Sequence, residues 1–128
     1  LMVDDAHGLG VLGDGHGTAR HFGLTNEVDI IMGTFSKSFA SLGGVIAGSA
    51  EVIDYVRHNA RSLMFSASMP ASCTAAVLAA LDVIESEPQI VRKLWENVRY
   101  MKKGLERLHY NTGRSETPII PIIISDDL

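Results

Sequence analysis

The 128-residue chain has a single cysteine, Cys73. A lone thiol excludes an internal disulfide and suits a reducing compartment. Ser72 and Thr74 flank it in an alanine-rich stretch with nothing nearby to activate a thiol, so Cys73 reads as a small core residue. Positive charge is scarce as well: 11 Lys and Arg stand against 15 Asp and Glu, a net charge of −4. That balance excludes a broad basic surface for nucleic acid or an anionic membrane. No apolar run approaches the roughly 20 residues that span a bilayer, and no signal peptide is visible. A cytoplasmic protein is the expectation. Internal repeats and low-complexity tracts are absent too. Hydrophobic residues make up 46% of the chain, ordinary for a globular protein with a real core.

The ends fall inside motifs. The chain opens on "LMVDDAH", a strand already reaching its acidic end, and closes on "PIIISDDL". A piece of a longer protein is expected. Between these ends, Leu1 to Val3 reads as the end of a buried strand. Asp4 to Thr25 is glycine-rich and mostly loop. "VDIIMG" (Val28 to Gly33) suits a strand buried on both faces, and "GGVIAGS" (Gly43 to Ser49) is another strand. "AEVIDYVRHNA" is a helix with Val52, Ile53 and Val56 on one side. "SLMFSAS" (Ser62 to Ser68) reads as a strand, and Pro70 opens a helix to about Ser86.

Glu87-Pro88 marks a break. A second long helix from Gln89 to about His109 places Ile90, Leu94, Val98, Met101, Leu105 and Leu108 at core spacing. "PIIPIIIS" is a final strand, at an edge because of Pro121. Strand and helix alternate, then a long helix leads to a new strand. The pattern is α/β over residues 1–87, joined to a smaller α+β domain over 88–128.

One lysine, Lys37, lies in "GTFSKSFASLGG", with no other charge in the stretch. It follows a strand by four residues, and open α/β sheets bind ligands beyond the carboxyl ends of their strands. Asp4 and His7 follow an earlier strand and can face the same crevice. A free lysine has a pKa near 10.4, so at pH 7 only roughly one in 10³ is neutral. Used as base or nucleophile, it needs a lowered pKa or a covalent partner. An aldehyde cofactor meets this by forming a Schiff base. Pyridoxal 5'-phosphate is the natural candidate: it needs an amine, an acidic partner for its ring nitrogen, and hydroxyls and N–H groups for its phosphate.

"VDDAHGLGVLGDG" and "GTFSKSFASLGG", with Asp4 and Lys37 some thirty residues apart, resemble the α-oxoamine synthases of the fold-type I pyridoxal-phosphate enzymes. That group includes serine palmitoyltransferase, 8-amino-7-oxononanoate synthase, 2-amino-3-ketobutyrate CoA ligase and 5-aminolevulinate synthase. The resemblance runs through "LMFSASMPAS" into the second long helix. It implies the later part of an aspartate aminotransferase-like large domain, residues 1–87, and the start of the small C-terminal domain, residues 88–128. It further implies Asp4 as partner of the pyridine nitrogen and His7 as hydrogen-bonded to the ring hydroxyl oxygen. Ala6 would pack on a ring face, Thr34 would bind phosphate, and Lys37 would hold the aldehyde. Ser66 would reach across a homodimer interface to the neighbour's phosphate. The implied reaction condenses a small amino acid with an acyl-CoA, releasing CO₂ and CoA. "GTFSKS" and "FSASMP" lean toward the serine palmitoyltransferase-like members. His16 stands where most relatives carry arginine, and no role passes to it.

Other readings compete. Asp4 can cap its loop, and Thr34 can cap a helix beginning near Ser36. His7, His16 and His21 with Asp4 and Asp5 hint at a metal, but the spacing is irregular and glycine-rich. A Ser-Lys hydrolase needs serine three residues before its lysine, where this chain has Thr34. The alternative of another class is a folded, non-catalytic fragment lacking the family's other cofactor and substrate contacts.

Overall fold

The computed structural model describes residues 1–124 and divides the chain into two compact units, Leu1–Pro88 and the residues from Gln89 on. The first unit is built on a three-stranded sheet in the order β1 (Met2–Asp4), β2 (Ile30–Thr34), β3 (Gly44–Gly48). β1 and β2 run parallel, with Asp4 level with Met32. β3 returns antiparallel, pairing Gly44 with Thr34. The carboxyl ends of β1 and β2 therefore lie on one edge of the sheet, and the chain leaving each end enters a loop there.

Between β1 and β2 the glycine-rich stretch forms short 3-10 turns at Gly13–Gly15 and Thr25–Glu27, with a four-residue helix α1 (Thr18–His21) between them. α2 (Ala50–Asn59) starts where Ser49 takes an extended conformation and its hydroxyl accepts the Val52 N–H at 3.4 Å. Val52, Ile53 and Val56 form its half-buried side. Arg57 and His58 fall in the last turn, where the helix dipole favours positive charge.

A short helix α3 (Arg61–Met64) occupies the region where "SLMFSAS" suggested a strand. The backbone there spends its donors locally: Leu63 and Met64 both bond the Ala60 carbonyl at 3.0 Å, and Phe65 bonds that of Arg61 at 3.0 Å. An apolar run without alternation carries no period to separate the two outcomes. α4 (Ala71–Ser86) follows Pro70, which caps the helix rather than occupying its first turn. The helix anticipated near Ser36 does not form; residues 35–43 are an irregular loop.

The buried centre of this unit is Phe35, Phe39 and Val77, with Leu9, Met69, Ala80 and Ile84 packed against them. The two phenylalanine rings meet edge to face at 5.5 Å. Cys73 is half-buried and free.

In the second unit α5 (Gln89–Arg107) buries Val91, Val98 and Leu105, one residue every seven. Leu94 is half-buried, whereas Ile90, Met101 and Leu108, expected in the core, are exposed. The anticipated final strand is not formed over residues 118–124, and Ser125 lies outside the described residues. Pro118 and Pro121 supply no donors, and the Ile123 N–H bonds the Asn111 carbonyl at 2.8 Å instead of a strand partner.

Candidate active site

Lys37 sits at the outer bend of the β2–β3 loop. Phe35 and Phe39, two residues to either side, are both buried in the core beneath α4. They pin the loop at two points and leave Ser36, Lys37 and Ser38 exposed between them. The loop closes on itself: Phe35 N–H bonds the Gly43 carbonyl at 2.9 Å, Ser41 N–H the Phe35 carbonyl at 2.8 Å, and Ala40 N–H the Lys37 carbonyl at 3.0 Å. Ala40 is held in the left-handed region at φ 49°, a conformation that costs a non-glycine residue about 1–2 kcal/mol. Gly43 is left-handed too, and a Cβ there would stand 2.3 Å from the Met69 sulfur. At Gly43 the packing leaves no room for a side chain.

Two serines of this motif, Ser38 and Ser41, assigned no part from sequence, are fasteners. Ser38 Oγ donates to the Leu9 carbonyl at 2.7 Å, tying the Lys37 loop to the loop after β1. Ser41 Oγ donates to the Cys73 carbonyl at 3.0 Å, tying it to the first turn of α4. Leu9, in the loop after β1, also packs against the cluster of Phe35, Phe39 and Val77 and lies close over Gly33 of β2. A Cβ on Gly33 would lie 2.2 Å from Leu9 Cδ1. The signal that could have found these links is the absence of any other hydrogen-bonding role for a serine flanking buried aromatics.

Asp4 ends β1 with its side chain exposed. One carboxylate oxygen accepts the Ala6 N–H at 3.1 Å, the local turn that a loop-capping aspartate makes. The other oxygen has no hydrogen-bond partner among the described residues. His7 is exposed in the same loop, and Ala6 is half-buried. Thr34, the last residue of β2, has its hydroxyl 3.0 Å from Ser36 Oγ and 3.3 Å from the Gly43 carbonyl that it donates to. Among the described residues the Lys37 ammonium has no hydrogen-bond or ion-pair partner. Asp4 and Thr34 thus end two parallel strands, and His7 and Lys37 lie in the loops that leave those ends. These residue types suit a group that needs an anionic partner for a protonated nitrogen and an amine for an aldehyde.

Ser66 stands apart from this set in the chain's local geometry. It is exposed after α3, and its hydroxyl donates to the Ser62 carbonyl at 2.5 Å. His16 lines a different, open hollow of about 520 Å³, shared with Arg20, Thr25 and Asn26. A second hollow of about 550 Å³ lies against β2, β3 and α2 and includes Thr34 but neither Asp4, His7 nor Lys37. No three His, Cys, Asp or Glu side chains among the described residues gather closely enough to hold a metal ion.

The sequence model of the family described as aminotransferase class I and II matches residues 1–128. A serine palmitoyltransferase from Bacteriovorax stolpii is 58% identical over 129 residues, covering 100% of this chain and 31% of its own. The 8-amino-7-oxononanoate synthase 1 of Bacillus subtilis (strain 168) is 49% identical over 128 residues, covering 99% of this chain and 33% of its own. Among solved structures, a serine palmitoyltransferase from S. paucimobilis, with bound PLP-myriocin aldimine, superposes with a TM-score of 0.87 at 28% identity. It covers 98% of this chain and 33% of its own. The chain therefore spans about a third of the length of the curated relatives it matches, and its α/β architecture is that of their fold.

Proposed function

The chain belongs to the aminotransferase class I and II family, and on that premise we propose that it is part of a pyridoxal-phosphate-dependent acyltransferase of the serine palmitoyltransferase kind. The reaction condenses a small amino acid with an acyl-CoA and releases CO₂ and CoA. Residues 1–87 are then the later part of the cofactor-binding large domain, and residues 88–128 the start of the small C-terminal domain. What carries the reading is the 58% identity to a serine palmitoyltransferase over the whole of this chain; it is supported by the parallel pairing of β1, which ends at Asp4, with β2, whose following loop bears Lys37.

The residues present fit the cofactor. The unpaired, exposed Lys37 is open to an aldehyde, and Asp4 keeps a carboxylate oxygen with no hydrogen-bond partner among the described residues. When bound, pyridoxal phosphate supplies an aldehyde for an amine to capture and a protonated ring that accepts electrons released at the substrate α-carbon. Lys37 would hold the cofactor through its aldehyde, and its amine would serve as the base for the substrate α-proton. Asp4 keeps the ring nitrogen protonated. His7 would hydrogen-bond the ring hydroxyl oxygen, Ala6 would pack on a ring face, and Thr34 would bind the phosphate. Ser66 serves the phosphate of the neighbouring subunit in a homodimer. The 128-residue piece alone is inactive. A cytoplasmic location accords with the described residues, which hold no helix long and apolar enough to cross a membrane.

The 49% identity to an 8-amino-7-oxononanoate synthase supports a second reading with the same chemistry and other substrates; the ketobutyrate ligase type is a third. CoA release from palmitoyl-CoA with serine separates the first reading from these. The test of the shared chemistry uses the full-length protein that contains this chain. Added pyridoxal phosphate should give a visible absorbance band, and borohydride should fix the cofactor to the peptide bearing Lys37. Lys37→Ala should lose the fixed label and at least about a hundredfold in turnover, the lower range for a general base. Continued fixation in Lys37→Ala would overturn the assignment.

A further inference from the structure

Asp5 is the buried charged side chain among the described residues, with 2% of its surface exposed. A carboxylate is costly to bury unless its oxygens are hydrogen-bonded, and an apolar side chain would fill such a place more cheaply. Strand alternation sends Asp4 outward and Asp5 inward. There Asp5 Oδ2 accepts the Thr18 N–H at 2.8 Å, and Oδ1 accepts the Thr18 hydroxyl at 2.5 Å. The seat fits nothing larger. A Cβ on Gly8 would stand 1.8 Å from Oδ1, and one on Gly17 would stand 2.2 Å from Oδ2.

The backbone of Asp5 is tied in both directions. Its N–H bonds the Met32 carbonyl of β2 at 2.7 Å, and its carbonyl accepts the N–H groups of Gly8 and Leu9, both at 3.1 Å. His7 lies inside the turn so closed. Leu9 then accepts Ser38, the neighbour of Lys37. One residue thus joins the ends of β1 and β2, the His7 turn and α1, and is two bonds from the Lys37 loop.

We propose that the Asp5–Thr18 pair is a positioning clamp that fixes Asp4, His7 and the Lys37 loop in one frame. Neither residue touches the reacting groups. The proposal rests on the functional reading above for what is positioned, and on the buried pair for the clamp itself.

The experiment compares Thr18→Val, which keeps the shape and loses the hydroxyl donor, with Thr18→Ser, which keeps both donors, in the full-length protein. Amide hydrogen exchange over residues 8–12 of the cofactor-free protein should quicken about tenfold in Thr18→Val and remain at the wild-type rate in Thr18→Ser. With cofactor, Thr18→Val should shift the pH dependence of the visible band and lower kcat about tenfold at nearly constant KM, since small misplacements act on the chemical step. Thr18→Ser should restore both. Unchanged exchange in Thr18→Val would remove the clamp. Quickened exchange with a wild-type pH profile and kcat would leave a mere strut and overturn the positioning role. If the wild-type protein develops no visible band with pyridoxal phosphate, the functional reading falls, while the exchange arm still decides the clamp. Should Thr18→Val fail to fold, Asp5→Asn, which keeps one acceptor for the Thr18 N–H, carries the same comparison.

Discussion

Asp4 does two jobs with two oxygens. One accepts the Ala6 N–H and turns the chain out of β1; the other has no hydrogen-bond partner among the described residues, and the proposed role falls to it. Asp4→Asn separates these jobs. An amide oxygen still accepts from Ala6, so the turn survives and cofactor should still bind. A neutral amide does not hold a proton on a ring nitrogen as a carboxylate does. Turnover should therefore fall at least about a hundredfold with little loss of cofactor affinity, taking the lower range for a group that holds a proton in place. Near wild-type turnover in Asp4→Asn, measured alongside a cofactor titration, would end the role given to Asp4. Lys37 shows the complementary logic. Its own side chain is unpartnered, and its fixed position comes from neighbours that are fastened: Phe35 and Phe39 in the core and Ser38 on Leu9.

At the scale of elements, the loop between β2 and β3 depends on the ring at Phe39. Phe39 is 7% exposed and meets Phe35 edge to face. Phe39→Ala should cost about 3 kcal/mol, the lower end for a buried aromatic. It should also loosen the Lys37 loop, read as faster exchange at the Ala40 and Ser41 amides than at β2. Equal protection in both would show that the ring does not anchor the loop. Helix α2 makes a smaller, pH-dependent claim. Glu51 has its pKa lowered below the ordinary 4.5 by its own backbone N–H and then by the Ser49 hydroxyl. A carboxylate depressed in the fold stabilises it above the ordinary value and loses that contribution as pH falls through the lowered one. Ser49→Ala should destabilise α2 by about 0.5 kcal/mol, the low end for a cap whose bond is long. Circular dichroism of the variant checks this, and unchanged stability in Ser49→Ala would sink the cap; the acid loss of α2 helicity should flatten only in part, because the Glu51 backbone N–H remains. These elements differ in how far the chain declares them. β2, β3, α2, α4 and α5 are legible because their apolar period or their bounding glycine, serine and proline is strong. α3 was not, because Leu63, Met64 and Phe65 form a run without a period. The strand over residues 118–124 failed for another reason: a ladder needs a partner, and sequence alone does not say whether one is present. Asp4, His7, Thr34 and Lys37 stood out by residue type. Asp5 and Thr18 did not, since a buried hydrogen bond across 13 positions leaves no local pattern.

At the scale of the whole molecule, Ser66 is the residue whose proposed role cannot be met within one chain. Ser66 is exposed after α3, and among the described residues its hydroxyl bonds the Ser62 carbonyl one turn back. If each chain lends this hydroxyl to its neighbour's phosphate, the contact is isologous and both sites of a homodimer are shared. Two consequences follow. Cofactor should tighten the dimer, because a ligand that binds only the assembled state stabilises it by mass action. Two dead chains should also rescue one another. In a heterodimer of Lys37→Ala with Ser66→Trp, one site draws Lys37 from the second chain and Ser66 from the first, and is intact. The other site carries both lesions. Random exchange makes about half the dimers mixed, each with one good site of two, so an equal mixture should recover about a quarter of wild-type activity. Sedimentation of the full-length protein with and without pyridoxal phosphate, and activity of the mixed variants after subunit exchange, measure both effects. An active monomer, or mixed dimers that form and stay inactive, would place Ser66 outside the neighbour's site and leave Asp4, His7, Thr34 and Lys37 as a site complete within one chain.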